Sequence, residues 1–218
     1  MIEKGIKANY ALGGITAHMV KMHEEGLIKR LIDVQSFDKV AAESVKNNEF
    51  HKEVSASEYA AADEQGSATH YLDIVILSAL EVDVDFNVNV LVGSDGIIRG
   101  AIGGHPDTAA DSALSIIVCP LLRGRIPCVV DKVTTLITPG ATVDVVVTEY
   151  GIAVNPRRPE VAERLRAAGL KIVDLNDLKE RAEKIIGQPA ELPFGEKVVG
   201  VVMYRDNTVL DVIRNIQG

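Results

Sequence analysis

An open, mostly parallel α/β sheet flanked by helices is the fold class this sequence predicts. Three observations lead there. The apolar residues fall in short runs of Val, Ile, Leu and Ala, with no Trp and only 4% aromatics among 218 residues, so the core is aliphatic and its strands read as buried on both faces. Those runs alternate with stretches of helical period. Carboxylates or glycines stand just past several of the runs, the rim at which open α/β sheets hold ligands. Hydrophobic residues are 47% and charged residues 25% of the chain, the balance of an ordinary globular protein.

The elements follow in order. Residues 1–16 hold Gly5, Gly13 and Gly14 and show no clear period. A helix is expected over 17–25, with Thr16 as its N-cap, His18 in its first turn and Gly26 closing it. Residues 27–34 read as a helix tail or a strand, and 38–47 as a second helix. Acidic, polar sequence runs on to Gly66 and includes the helical-looking SEYAAADEQG. A strand over 73–80 ends in Glu81 and Asp83. Another over 88–92 leads into Gly93, Ser94, Asp95 and Gly96. Gly103, Gly104, His105, Pro106 and Asp107 precede a helix over 108–113, whose first turn Asp107 is placed to cap. Strands are expected over 115–122, with Pro120 putting part of it at an edge, and over 126–131, 134–138 and 143–148. The last ends in Glu149, Tyr150 and Gly151. Pro159 opens a helix that Gly169 closes, a strand-like link spans 171–175, and an amphipathic helix over 177–186 ends at Gly187. After a loop over 189–195, a strand over 198–204 and a closing strand or helix over 209–216 finish the chain. No repeat or linker splits it, so one domain over 1–218 is expected.

The net charge of −8 argues against nucleic acid or an anionic membrane as partner, since both need clustered Lys and Arg. No apolar run is long enough to cross a bilayer, and no signal peptide pattern opens the chain. Cys119 and Cys128 lie in apolar runs and read as small core residues in a reducing, cytoplasmic setting. The five histidines show no metal-ligand spacing with the cysteines, so no metal is expected.

Glu81, Asp83 and Glu149 are the candidate acids and bases, the other reading of each being a solvated strand end. The 103–107 loop can aim backbone N–H groups at a developing oxyanion, with Pro106 contributing none; the plain alternative is a tight turn. Arg123, Arg125, Arg157 and Arg158 stand in turns where they could hold carboxylate or phosphate, or simply face solvent. Ser78 and Ser94 have no histidine at a recognisable spacing for a hydrolase triad.

The strings SALEVDVDFNVNV, GAIGGHPDTA and VDVVVTEYGIAV, in that order, resemble the acyl-CoA transferase superfamily, and within it the carboxyl-terminal half of the citrate lyase alpha chains. The resemblance runs from about Gly13 to about Leu178. It implies a single CoA-transferase-like domain belonging to a longer, two-domain chain whose other part would precede Met1. It implies exchange of acetyl for citryl on the thiol of a CoA-derived prosthetic group, of dephospho-CoA type, carried by an acyl carrier protein, with acetate released and no cofactor bound to this chain. The implied partners are citrate, the acetyl and citryl thioesters, the carrier and the other lyase subunits, with a homo-oligomer expected. By the same resemblance Gly103 and Gly104 contact the thioester oxygen with Glu81 beside them, and His105, Asp107, Asp83, Glu149 and Tyr150 line the substrate or CoA arm. Relatives that form a glutamyl thioester carry Glu in a string like IHTEM. Here the string is Ile15-Thr16-Ala17-His18-Met19, so His18 stands in the nucleophile's place. That implies either that another carboxylate attacks or that there is no acyl-enzyme; the second, direct exchange with citrate's own carboxylate attacking the thioester, suits the resembled family. The alternatives are a module that binds the CoA arm without turnover, another carboxylate CoA-transferase, or an acyl-CoA hydrolase.

Overall fold

The computed structural model describes residues 2–61, 66–93, 95–188 and 191–217. They form two compact units, Met1–Tyr71 and Leu72–Gly218. No Pro-, Gly- or Ser-rich linker marks the boundary, which is why the chain reads as one domain from sequence.

The first unit is β1 (Ala8–Ile15), α1 (Ala17–Glu24), β2 (Ile28–Ser36), α2 (Lys39–Asn47), β3 (His51–Glu53) and α3 (Ala56–Ala60). The three strands form one sheet in the order β1-β2-β3, parallel throughout. Ile15, Val20, Ile28, Leu31 and Ala41 are its buried core. β1 escaped the sequence reading because two adjacent glycines break its alternation. The register with β2 slips between Gly13, opposite Asp33, and Gly14, opposite Gln35, and Gly13 takes the left-handed φ of +107° that glycine adopts without a Cβ penalty. The ambiguous 27–34 stretch is strand β2. α3 starts on a reciprocal cap between Ser55 and Glu58 and ends at Ala60. Residues 62–65 of the expected helix lie outside the described residues, as does Ser94.

The second unit runs β4 (Ile74–Ser78), β5 (Glu81–Asp83), β6 (Val88–Asn89), α4 (His105–Asp111), β7 (Leu114–Val118), β8 (Leu122–Arg123), β9 (Ile126–Pro127), β10 (Val129–Val130), β11 (Val145–Thr148), β12 (Gly151–Val154), α5 (Pro159–Ala167), α6 (Leu175–Ile186), β13 (Phe194–Met203) and β14 (Val209–Ile216). Its main sheet has the order β12-β11-β7-β4, with β11, β7 and β4 parallel and β12 antiparallel to β11. A small sheet of β10-β5-β6 and two hairpins, β8-β9 and β13-β14, complete it. α6 lays Leu175, Leu178 and Ala182 on a core that includes Ile117, Val146 and Ala153 from the sheet. The α/β class is as the aliphatic pattern predicts.

The expected 115–122 strand stops at Val118, where Pro120 follows, and the 126–131 strand divides into β9 and β10, which pair in different sheets; three further elements differ, each for a local reason. The 88–92 strand stops at Asn89, because the Asn89 side-chain oxygen accepts the N–H groups of Leu91 (2.9 Å) and Val92 (3.1 Å) in place of a neighbouring strand. The 134–138 strand is replaced by loop, joined to β6 only by a bridge between Val88 and Thr138. α4 begins three residues early, at His105, because Pro106 suits a helix's first positions. Cys119 and Cys128 are free and buried. Burial, with the neighbouring Cys128 adding to it, pushes the Cys119 thiol up to about 12, and burial also raises Cys128. Among the described residues no helix is long and apolar enough to cross a membrane.

Candidate functional site

All the predicted site residues but His18 lie in the second unit. The Gly103-Gly104 corner sits at the carboxyl edge of the main sheet because His105 ties it there. The His105 ring is 9% exposed. Its Nε2 lies 2.9 Å from the Ser78 carbonyl at the end of β4, and its Nδ1 lies 2.7 Å from Thr138 Oγ1. A carbonyl only accepts, so Nε2 carries the proton and the Thr138 hydroxyl donates to Nδ1. Burial lowers the pKa of this imidazole, which favours its neutral form. The ring faces inward with both nitrogens bonded inside the unit. Its place in the corner is therefore that of a pin.

Gly103 itself is exposed at φ +52°, with nothing within 4 Å of where a Cβ would stand. Gly104 precedes α4 and accepts the Thr108 N–H (2.9 Å) and hydroxyl (2.8 Å) on its carbonyl. Neither the Gly103 nor the Gly104 N–H donates to another described group.

Asp107 was expected to cap the helix that follows it. It lies instead inside the first turn of α4, and Gly104 occupies the cap position without a side-chain bond. The Asp107 carboxylate lies 3.5 Å from Arg205, which also makes a two-pronged pair with Asp111 at 2.6 and 3.0 Å. Burial raises the Asp107 pKa, Arg205 works against that, and Asp111 adds to it. The cluster fastens the turn of the β13-β14 hairpin to α4.

Glu81 is 2% exposed. Its carboxylate accepts from Asn89 Nδ2 (2.8 Å), the Thr134 N–H (2.7 Å) and the Thr134 hydroxyl (2.9 Å). Asp83, equally buried, accepts the N–H groups of Asp85 and Asn87 at 3.0 Å each, Asn87 Nδ2 at 3.1 Å and the Val133 N–H at 3.3 Å. Burial nevertheless leaves its pKa raised. These two acids hold loops in place, with their oxygens turned to the protein. Glu149, past the end of β11, is exposed and accepts the Leu121 N–H at 2.9 Å. Tyr150 is 43% exposed, with the Arg181 guanidinium 4.8 Å over its ring, a cation–π contact. Of the arginines in turns, Arg123 donates to the Ala79 carbonyl at 2.9 Å. Arg158 pairs with Asp144 and Glu160, each at 2.6 Å. The carboxyl edge of β4, β7 and β11 thus gathers the 103–105 corner, Arg123, Glu149 and Tyr150. Among the described residues no cluster of three His, Cys, Asp or Glu could hold a metal.

In the first unit His18 is the second residue of α1 and is exposed. Thr16 occupies the N-cap position but makes no side-chain cap bond. The cap comes from Asp38: one oxygen accepts the Ala17 N–H at 2.6 Å, and the other accepts the Ala41 N–H at 2.9 Å. Asp38 has no motif around it, and its only sequence signal is its place at the start of α2. The exposed ring of Phe37 lies over Gly14, where a Cβ would strike it, and Tyr59 lies over Gly13. Behind this corner His51 is buried, with Nε2 3.3 Å from Asp33 and Nδ1 2.9 Å from Ser44 Oγ. Burial lowers its pKa against the opposing pull of Asp33.

Comparison with known proteins bears on this geometry. The family model described as the alpha subunit of citrate lyase matches residues 1–216. The citrate lyase alpha chain of Escherichia coli K12 is 57% identical over 217 residues, a match covering all of this chain and 42% of that protein. A solved structure described as an alpha subunit of citrate lyase from Streptococcus mutans, in complex with citrate, is 51% identical. It superposes with a TM-score of 0.96 over all of this chain and 43% of its own. A 4-hydroxybutyrate CoA-transferase from Porphyromonas gingivalis shares the fold at 18% identity and a TM-score of 0.50, over 86% of this chain and 50% of its own. The chain therefore spans about two fifths of the length of the curated relatives it matches.

Proposed function

The chain belongs to the citrate lyase alpha-subunit family, and on that premise we propose that it works as part of a citrate CoA-transferase. The reaction exchanges acetyl for citryl on the thiol of a CoA-derived arm, of dephospho-CoA type, carried by an acyl carrier protein within the lyase complex. A citrate carboxylate attacks the acetyl thioester carbonyl, the thiolate leaves, and an acetyl–citryl mixed anhydride forms. The thiolate then attacks the citryl carbonyl and acetate departs. No acyl group rests on the protein.

The observation that carries the direct route is the state of the chain's own acids. Glu81 and Asp83 are buried with their oxygens filled by backbone and side-chain donors, a poor arrangement for a nucleophile that must reach a substrate. The position that resembles the family's nucleophilic Glu holds His18, and an imidazole cannot form a mixed anhydride with an acyl group. Of the candidate acids Glu149 alone is exposed, and one of its oxygens already accepts the Leu121 N–H; on this reading the protein supplies orientation and charge stabilisation. The N–H groups of Gly103 and Gly104 suit the oxygen of the thioester as it gains charge. The exposed imidazole of His18 suits a carboxylate of citrate. His105, Asp107, Glu81 and Asp83 position the segments they bond, and Glu149 and Tyr150 face the same sheet edge as the glycines. Assembly as a homo-oligomer in the cytoplasm belongs to this same reading.

The test is acetyl–citryl exchange by the full-length protein carrying His18→Ala or His18→Glu, alongside trapping with radiolabelled acetyl thioester. Loss of exchange in His18→Ala without any protein-bound label is the expected result. Label recovered on Glu81 or Glu149 would replace the direct route with a covalent one. Calorimetry with dephospho-CoA separates arm binding without turnover from catalysis.

A further inference from the structure

The sequence reading leaves unanswered how a histidine in a helix's first turn is held where an anion can use it. The end of a helix with positive dipole character favours anions and disfavours an imidazolium. The structure places a carboxylate at that point. Asp38 stands at the start of α2, directly after β2, yet it serves two helices with its two oxygens. One oxygen performs the ordinary cap of α2. The other crosses to the Ala17 N–H, the residue before His18, and supplies the cap that Thr16 does not. These bonds, Ala41 first and Ala17 next, hold the Asp38 carboxyl below the usual range, with a smaller contribution from the charge of His18. Asp38 is therefore ionised at neutral pH.

We propose that Asp38 is a positioning residue for His18: its second oxygen fixes the first turn of α1, on which the imidazole stands. This rests on the reading of His18 as the group that receives a citrate carboxylate. The arrangement is specific to a carboxylate. Asn caps a helix as well as Asp does, but it has one acceptor oxygen. In Asp38→Asn the remaining oxygen can keep α2 capped, while an amide NH2 meets the Ala17 N–H, donor against donor. The substitution therefore uncaps one of the two helices, and the standard cap geometry toward Ala41 favours keeping the oxygen on α2 and releasing α1.

The experiment uses the full-length protein in three forms, Asp38→Asn, His18→Ala and the double variant, with two readouts. The first is amide hydrogen exchange. Faster exchange over the first turn of α1, with α2 unchanged, is expected in Asp38→Asn. The second is exchange kinetics with citrate varied. Asp38→Asn should lower kcat/KM for citrate by about tenfold to a hundredfold, the scale on which a misplaced positioning group acts. The loss should fall mainly on KM for citrate, with that for the acetyl thioester unchanged and no further loss when His18→Ala is added. Unchanged α1 exchange in Asp38→Asn overturns the proposal, and so does a loss that adds to that of His18→Ala, because Asp38 would then act by another route. Full activity in His18→Ala instead refutes the role given to His18, while the hydrogen-exchange result still decides whether Asp38 holds the helix.

Discussion

Two glycine pairs, Gly13-Gly14 and Gly103-Gly104, each stand at the carboxyl side of a parallel sheet just before a helix, and the fold treats them in opposite ways. The first is filled from within. Phe37 and Tyr59 lie against it, and Asp38 takes the N–H that opens the following helix. The second is left open. A Cβ on Gly103 would meet nothing, no described acceptor meets either N–H, and the histidine that follows turns its ring to the interior. A glycine pair before a helix is thus not one kind of site. Where the chain supplies its own carboxylate, the corner builds a support; where it does not, the corner has donors to offer.

The comparison can be broken most severely at the pin behind the open corner. His105→Ala leaves the Ser78 carbonyl and the Thr138 hydroxyl without the ring and opens a cavity. A loss of about 2–4 kcal/mol in urea denaturation is expected from unsatisfied groups and lost packing. Undiminished stability would mean that nothing holds the open corner from behind.

Acid titration gives the next effect. The imidazoles of His105 and His51 have folded pKa values lowered by burial. Below the unfolded value of about 6.5 the unfolded chain therefore binds protons that the folded chain does not. Stability is fully present above that pH and declines as pH falls below it, by at most about 1.4 kcal/mol per pH unit for each group. Amide exchange followed from pH 7 to 5 should show the decline in both units. Its absence in either would mean that its histidine takes a proton without cost.

Gly103→Ala sharpens the contrast at lower cost. The new methyl meets open space, so the penalty is that of a left-handed backbone, about 1 kcal/mol. Exchange activity is expected to fall by more than the thermal shift accounts for, because the two donors move. Gly14→Ala should be the mildest. Its methyl meets Phe37, but that ring is 62% exposed and free to swing aside, so a change within about 0.5 kcal/mol is expected. A larger drop in melting temperature would make the Phe37 ring part of the fold.

Much of the fold was legible because aliphatic runs and helix stops are local signals. α1, α2, α5, α6 and the β11 strand fall within a few residues of where periodicity, Pro159, Gly169 and Gly187 put them. β1 was hidden by its own glycines, and β12 by its position in an apolar run after Tyr150 that carries no turn signal beyond Gly151. The site was legible in part. The Gly103-Gly104 corner follows from residue type. That Glu81 and Asp83 are filled with donors from Thr134 and Val133 does not, since those partners arrive from segments 53 and 50 positions away. Asp38 was missed for the same reason: its bond to Ala17 spans 21 positions, and no spacing rule announces it.

The two buried cysteines carry a consequence for any chemistry with thioesters. A sulfhydryl held at about 12 stays protonated in neutral solution, and thiols attack only as thiolates. Neither Cys119 nor its neighbour can intercept an activated acyl group and strand it on the polypeptide. The same shielding turns both sulfurs into unfolding reporters, silent toward iodoacetamide while the second unit is intact and alkylated once it opens.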